Sequence, residues 1–316
     1  MSRFLLPRFS SLSPYVPGEQ PRDRTYIKLN TNESPYPPSP EVLACLGRED
    51  LADLRLYSDP EGIALRSALA ERYGLRPENV FLSNGSDDIL NFAFLAYAAD
   101  GKKAYYPDIT YGFYPVFAAL HGTRPTVVPL REDFTVPAEA FCENDGLVVL
   151  ANPNAPTGLA LSPAEIETIL KANPDQVVLV DEAYVDFGAD TCLPLLSRYP
   201  NLLIARTFSK SRSLAGARLG FALAGAGLID DLNRIKYATN PYNINRLTLK
   251  IGEAAVRSDA YFEENCRRIA RTRDETAASL RDMGFSVLPS LSNFLFARHK
   301  AFPGDALYRR LKERGI

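Results

Sequence analysis

Two segments of the sequence place reactive side chains directly after apolar runs. The run 177–180 is followed by Asp181-Glu182-Ala183-Tyr184, which supplies a carboxylate and a phenol. The run 202–204 leads into Ser209-Lys210, which supplies a hydroxyl and an amine. In a parallel sheet, ligands bind where strands end and loops begin. A lone aspartate at such a place is more often a helix cap, so a site is indicated only if further loops contribute suitable groups.

Two further loops supply such groups, and they suit a phosphate and an aromatic ring. The turn Gly85-Ser86-Asp87 presents small residues at the start of an expected helix, where backbone N–H groups and the helix dipole favour an anion. Ser209 and Arg218 add a hydroxyl and a guanidinium for the same dianion. Tyr111 is a candidate for stacking on a planar ring, although a single tyrosine is as readily a core residue.

This collection matches the needs of pyridoxal phosphate. That cofactor requires a lysine to form an imine, a carboxylate to keep its pyridine nitrogen protonated, a phosphate cradle and an aromatic cover. Competing chemistries have less support, because the chain has only two histidines and lacks a catalytic-serine elbow and a P-loop. The turn Gly225-Ala226-Gly227 resembles the opening of a dinucleotide fingerprint, but the third glycine is missing, which leaves an NAD dehydrogenase as a remote alternative.

The sequence resembles the class I and II aminotransferases of pyridoxal-phosphate fold type I over nearly its whole length. The motifs that carry the resemblance are Leu29-Asn30-Thr31-Asn32-Glu33-Ser34-Pro35, Tyr57-Ser58-Asp59-Pro60, Asn84-Gly85-Ser86-Asp87, Asn152-Pro153-Asn154-Ala155-Pro156-Thr157-Gly158, Asp181-Glu182-Ala183-Tyr184-Val185-Asp186-Phe187, and Thr207-Phe208-Ser209-Lys210 with Arg218. Their order and spacing both match the family.

The resemblance assigns roles to individual residues. It implies that Lys210 forms the Schiff base with the cofactor and moves the substrate proton, that Asp181 pairs with the pyridine nitrogen, and that Tyr184 contacts the ring 3′ oxygen. It also implies cofactor contacts from Gly85, Ser86, Asp87, Tyr111, Asn154, Ser209 and Arg218, a contact from Tyr57 of the neighbouring subunit of a homodimer, and substrate contacts from Asn32, Glu33 and Asn243.

The resemblance further implies transamination of L-histidinol phosphate with 2-oxoglutarate, a step of histidine biosynthesis. A threonine-phosphate decarboxylase or an aromatic amino-acid aminotransferase would use the same groups, because the sequence does not show which α-carbon bond lies perpendicular to the cofactor plane. A catalytically incompetent binding protein is a further alternative.

Two departures from the family pattern bear on the site. Ala155 stands where the family commonly has an asparagine that contacts the ring 3′ oxygen of the cofactor. Asn154, Asn152 or Tyr184 must supply that contact instead. Family members also continue beyond the position of Ile316 into strands that bring arginines to the substrate carboxylate. The small domain is therefore expected to be truncated, and the sequence assigns none of the remaining candidate arginines, which are Arg24, Arg212 and Arg246.

Composition limits the class of protein. With 316 residues, 46% hydrophobic and 23% charged, the chain is typical of a soluble two-domain protein. Its formal charge of −2 offers no global field for nucleic acid or an anionic membrane, and no apolar run approaches the ~20 residues of a membrane span. The four cysteines have no pairing pattern and are typical of a reducing compartment, so we expect a cytoplasmic homodimer with small-molecule substrates.

Alternating apolar strands and helices predict an α/β fold with a mostly parallel sheet covered by helices on both faces, beside a smaller α+β domain. The expected divisions are an arm over 1–40, a large cofactor domain over 41–250 and a small domain over 251–316. Strands are predicted at 80–82, 126–128, 147–150, 177–180, 202–204, 285–288 and 293–296, and helices at 62–73, 89–98, 163–171 and 305–314, with further helices between 228 and 281. Ser86 or Asp87 is expected to cap the helix over 89–98.

Overall fold

A seven-stranded sheet forms the centre of the computed structural model, which describes residues 2–10 and 12–316. Its strands are β1 (Val80–Ser83), β2 (Lys103–Pro107), β3 (Arg124–Val128), β4 (Gly146–Ala151), β5 (Val178–Asp181), β6 (Leu202–Thr207) and β7 (Gly220–Ala224). They are arranged in the order β1-β7-β6-β5-β4-β2-β3. All neighbours run parallel except β7, which is antiparallel to both β1 and β6.

Ten α-helices surround this sheet and extend beyond it. They are α1 (Pro40–Ala44), α2 (Arg48–Ala52), α3 (Ile63–Tyr73), α4 (Gly85–Tyr97), α5 (Tyr114–His121), α6 (Pro163–Ala172), α7 (Ala226–Thr239), α8 (Arg246–Val256), α9 (Asp259–Asp282) and α10 (Gly304–Glu313) within the described residues. A separate antiparallel pair joins β8 (Ser286–Val287) and β9 (Ala297–Arg298). Among the described helices, none is both long and apolar enough to cross a membrane.

The sheet is buried on both faces, which explains why its strands are continuous apolar runs. Val178 and Val180 of β5 pack into one core cluster with residues of α3, α6 and α8. Leu179, between them, packs into a second cluster with residues of α4, α5 and α7. Because successive side chains on a strand alternate between faces, Asp181 follows Leu179 onto the α4/α5/α7 side and Glu182 takes the opposite side.

The predicted α/β class is confirmed, with helices on both faces of a mostly parallel sheet. The helix expected over 62–73 is α3, and it ends at Gly74 in the left-handed conformation (φ +64°). Two strands were missed. Lys103–Pro107 mixes a charge and a proline with its tyrosines, and Gly220–Ala224 is rich in small residues with low strand propensity.

The expected cap of the fourth helix is wrong. The helix begins at Gly85, four residues before Ile89, and its N-cap is Asn84. Ser86 and Asp87 therefore lie inside the first turn, where they cannot cap it. The carboxylate of Asp88 instead accepts a hydrogen bond from the Asn84 backbone N–H at 3.1 Å. The strand expected over 293–296 is also displaced, since β9 starts at Ala297 and the preceding residues form serine-rich turns.

Candidate active site

A cavity of about 370 Å³ opens at the carboxyl ends of β4, β5 and β6. Ala151, Asp181 and Thr207, the last residues of these strands, all line it. The predicted site residues that line the cavity are Glu33, Ser86, Asp87, Tyr111, Asp181, Tyr184, Ser209, Lys210 and Arg218. Residues separated by more than a hundred positions therefore converge because parallel strands end at the same edge.

Asp181 is a buried carboxylate at the floor of the cavity, with only 5% of its surface exposed. Its Oδ2 accepts a hydrogen bond from the Tyr114 hydroxyl at 3.2 Å, and its Oδ1 accepts one from the Ala183 backbone N–H at 3.1 Å. Burial raises the pKa of Asp181 to about 6, although both hydrogen bonds act in the opposite direction. The carboxylate is thus suited to a cationic partner such as a protonated ring nitrogen.

Lys210 projects its amine into the same cavity from the loop after β6. Its Nζ donates a hydrogen bond to the backbone carbonyl of Thr31 at 2.7 Å. Burial lowers the pKa of Lys210, while the negative charges of Glu33 and Asp87 oppose that shift. The amine consequently reaches its neutral, nucleophilic form more easily than a solvated lysine would.

Tyr184 and Asn32 are held together at the wall of the cavity. The Asn32 Nδ2 donates to the Tyr184 hydroxyl at 3.0 Å, and burial raises the pKa of that phenol to about 12. Thr31 and Asn32 have φ values of +62° and +53°, which non-glycine residues rarely adopt. This strained pair turns the Thr31 carbonyl toward Lys210 and the Asn32 amide toward Tyr184.

The opposite end of the cavity has the donors that a phosphate requires. The first turn of α4 begins at Gly85 (φ +74°), and an added Cβ there would come within 2.5 Å of the Arg218 guanidinium. The Ser209 Oγ accepts a hydrogen bond from the Thr207 hydroxyl at 2.9 Å. Because Ser209 is the acceptor in this bond, its own hydroxyl hydrogen can be donated to a phosphate. Arg218 donates to Asp87 at 2.9 Å and is half-exposed toward the cavity.

These groups fit pyridoxal phosphate in type and in order. A carboxylate for the ring nitrogen lies at one end, a helix N-terminus with a hydroxyl and a guanidinium lies at the other, and an amine lies on the same cavity. The glycine at the cradle is favoured by its backbone, because a φ of +74° at Gly85 would strain any other residue.

Other predicted residues lie outside the cavity lining. Asn154 uses its side-chain amide on the Ile109 carbonyl and on the hydroxyls of Thr110 and Thr157. Asn152 uses both ends of its amide on the backbone of Leu161. Both asparagines hold loops in this way, whereas Tyr184 and Ala155 line the cavity.

Asn243, Tyr57 and three arginines also have other partners. Asn243 donates to Asp88 at 3.1 Å, and Tyr57 is 78% exposed and stacked on Tyr242. The arginines that the sequence left unassigned contact the Lys312 carbonyl (Arg24), Asp259 and the Ala255 carbonyl (Arg212), and the Tyr57 carbonyl (Arg246). Of the lining residues that the structure describes, the cations are Lys210 and Arg218.

Two functional groups escaped the sequence analysis. Tyr114 is fully buried and supports Asp181, but it lies among several tyrosines with nothing to distinguish it. The Thr31 carbonyl receives the Lys210 amine, and a backbone group has no signature in residue type.

Comparison with known proteins gives consistent matches. The family model described as aminotransferase class I and II matches residues 24–316. Among curated proteins, a histidinol-phosphate aminotransferase of Marinomonas sp. (strain MWYL1) is 51% identical across 100% of this chain and 90% of its own length. One from Brachyspira hyodysenteriae is 47% identical with the same coverage.

Solved structures agree with this result. The crystal structure of histidinol-phosphate aminotransferase from Sinorhizobium meliloti in complex with pyridoxal-5'-phosphate has a TM-score of 0.79 at 29% identity, covering 90% of this chain and 80% of that one. An aspartate aminotransferase mutant of Thermus thermophilus reaches a TM-score of 0.84 at 20% identity, covering 100% of this chain and 90% of that one, a likeness of fold alone.

The raised pKa of Asp181 makes its ionisation costly in the cofactor-free protein. Folding raises the pKa of this carboxyl group from 3.8 to about 6. The free energy of unfolding of the protein therefore falls as the pH increases through that interval. Asp181→Asn should therefore raise the free energy of unfolding of cofactor-free protein by about 3 kcal/mol at pH 8, and by almost nothing below about pH 3. Urea unfolding at several pH values measures the difference.

Glu182→Gln is the matched control for that measurement. Glu182 is equally buried but is paired with Arg206 at 2.7 Å, so its neutralisation should destabilise the protein at pH 8. A stabilisation by Asp181→Asn that did not change with pH would show that packing, and not ionisation, is responsible.

Proposed function

The chain belongs to the aminotransferase class I and II family, and on that premise we propose that it transfers the amino group of L-histidinol phosphate to 2-oxoglutarate in histidine biosynthesis. The observation that carries the proposal is the convergence of Lys210, Asp181 and Arg218 on one cavity. The choice of amino donor is supported by curated relatives of that name, 45–51% identical over essentially the whole chain.

Each part of the cavity has a role in holding the cofactor. Pyridoxal phosphate, when bound, withdraws electrons from the α-carbon of the substrate. Asp181 would pair with the ring nitrogen, and the Tyr184 hydroxyl, which accepts from Asn32, would donate to the ring oxygen. Ser86, Ser209 and the α4 N-terminus, together with Arg218, bind the phosphate. Tyr111 covers the ring.

Lys210 then acts as the base. With the cofactor bound, the Lys210 Nζ would accept the proton from the substrate α-carbon and hold it for return. The lowered pKa favours the neutral amine that this step requires. The Thr31 carbonyl, 2.7 Å away, fixes the position of Nζ between transfers.

One carboxylate of the cavity lining is left for the substrate after the cofactor contacts are assigned. Glu33 lines the cavity and forms an ion pair with Lys28. A carboxylate suits the imidazole N–H of the donor. We assign Glu33 to substrate binding on this basis. Asn32 instead positions Tyr184, and Asn243 supports the α4 turn through Asp88.

The proposal includes a homodimer in which Tyr57 reaches the phosphate of the neighbouring subunit. Tyr57 is largely exposed, and it stacks on Tyr242 at a centroid distance of 4.5 Å. The surrounding stretch of chain exposes further apolar side chains, namely Leu43, Leu51, Leu54, Leu56 and Ile63. Exposed apolar side chains on this scale are typical of a contact surface.

The proposal also covers the organisation of the chain. A large domain over 41–250 carries the cofactor, and the N-terminal arm joins residues 251–316 in a smaller unit. The Ile27 N–H donates to the Gly315 carbonyl at 2.7 Å, and Asn293 donates to the Asn32 carbonyl at 2.9 Å, which supports this grouping. All four cysteines are free thiols, which supports a reducing compartment such as the cytoplasm.

Borohydride reduction of the protein loaded with pyridoxal phosphate should attach the cofactor to Lys210. Peptide mass mapping locates the label, and Lys210→Ala should abolish it. Lys236→Met is the control, because burial also lowers the pKa of Lys236, to about 8, although it lies outside the cavity. A label on Lys236, or none on Lys210, would contradict the assignment.

Glutamate should form from 2-oxoglutarate when L-histidinol phosphate is the amino donor. We expect a higher kcat/KM for this donor than for phenylalanine, and no CO₂ from threonine phosphate. A coupled assay for glutamate and a CO₂ assay measure both products. Preference for phenylalanine would identify an aromatic aminotransferase, and CO₂ release would identify a decarboxylase.

Mixing two variants that the proposal expects to be inactive tests whether Tyr57 acts across the dimer. A hybrid of Tyr57→Ala and Lys210→Ala subunits contains one site with both an intact lysine and an intact neighbouring tyrosine. After unfolding and joint refolding, activity should return to about a quarter of the wild-type value, since half the dimers are hybrids and each has one working site. If Tyr57 served its own subunit, no activity would return.

A further inference from the structure

Asp87 occupies a place where its charge opposes the proposed ligand. It lines the phosphate end of the cavity. A carboxylate repels a phosphate dianion and has no hydrogen-bond donor to offer it. Gly85, Ser86, Ser209 and Arg218 provide the cradle without it. A direct contact between Asp87 and the cofactor is therefore a poor explanation for this side chain.

The carboxylate is occupied by two other side chains. Its Oδ2 accepts a hydrogen bond from the Arg218 Nη2 at 2.9 Å, and its Oδ1 accepts one from the Tyr111 hydroxyl at 3.0 Å. Arg218 is the cation of the phosphate cradle, whereas Tyr111 is the aromatic cover for the ring. The two carboxylate oxygens of Asp87 thus hold two side chains that would contact different parts of the cofactor, its phosphate and its ring.

We propose that Asp87 is a positioning residue that couples Tyr111 to Arg218, so that the ring cover and the phosphate cation are placed by a single carboxylate. The inference rests on the proposed function, because it concerns the same cofactor.

Both partners need such an anchor. Arg218 has a left-handed backbone (φ +52°), and its guanidinium is half-exposed above Gly85, on a long side chain that loses considerable entropy when fixed. Tyr111 packs edge-on against Tyr114 at 5.8 Å, and its hydroxyl fixes the remaining end of the ring. Burial, reinforced by the charge of Asp87, raises the pKa of Tyr111, which therefore stays a donor at neutral pH.

The adjacent residue provides a natural control. Asp88 carries the same charge on the same helical turn, but its Oδ2 accepts from Asn243 and from the Asn84 backbone N–H. It contacts neither Arg218 nor Tyr111 among its hydrogen bonds in the described residues. Neutralising Asp88 thus removes a nearby charge and leaves the coupling intact.

Binding of pyridoxal phosphate and of pyridoxal to the full-length, cofactor-free chain tests the proposal without an activity assay. Asp87→Asn should weaken binding of pyridoxal phosphate by about 10- to 100-fold, because charge-assisted hydrogen bonds are lost, and should reduce the preference over pyridoxal. The circular dichroism of the bound cofactor should change, since Tyr111 no longer fixes the ring. Asp88→Asn keeps an amide oxygen for the Asn84 backbone N–H at the start of α4, so it should retain the spectrum and more of the preference than Asp87→Asn does.

Two further variants separate position from charge. Asp87→Glu keeps the charge but displaces the oxygens, so it should weaken binding of pyridoxal phosphate as Asp87→Asn does. Tyr111→Phe should add little to Asp87→Asn in the double variant, because the two share one interaction. Thermal unfolding of each cofactor-free variant shows that it is folded, and Asp87→Glu supplies the test if Asp87→Asn is not.

The opposite results overturn the inference. If Asp87 only contributes repulsion, Asp87→Asn binds pyridoxal phosphate more tightly and Asp87→Glu binds it as the wild type does. Failure of the proposed function has a different signature. In that case the wild-type chain itself shows no preference for pyridoxal phosphate over pyridoxal, and the inference falls with it.

Discussion

A carboxylate buried at the end of a central strand is the constraint on which the site depends. Asp181 is removed from water by the sheet on one side and by α5 on the other, and a hydroxyl and a backbone N–H only partly replace its hydration. The raised pKa is the result. A cationic ligand relieves this cost, so the fold holds an unfavourable group in readiness for its cofactor.

The next residue shows the same strand end used differently. Glu182 points to the other face of the sheet, where Arg206 meets it at 2.7 Å and the Cys192 N–H donates to it at 2.6 Å. This pair joins the loop after β5 to β6 and is complete within the protein. Successive side chains on a strand point to opposite faces of the sheet, so the adjacent carboxylates of Asp181 and Glu182 are kept apart. Glu182 has a structural role, and Asp181 is left for a ligand.

The sequence predicted most of the sheet and the strand-end residues of the site, because buried parallel strands are continuous apolar runs and their loops carry the reactive groups. It missed β2 and β7, whose place depends on distant partners and not on local propensity. It also missed the start of α4, since Gly85 enters that helix from a left-handed conformation. The roles of Asn154 and of the Thr31 carbonyl depend on contacts between remote loops, which residue type does not reveal.

The strained pair Thr31–Asn32 has a wider consequence. It belongs to the N-terminal arm, which also touches the end of the chain through Ile27 and Gly315. An arm that withdrew would take with it both the acceptor of the Lys210 amine and the amide that holds Tyr184. Placement of the N-terminal arm and assembly of the site are therefore one event, because the base and the phenol each depend on a residue of that arm.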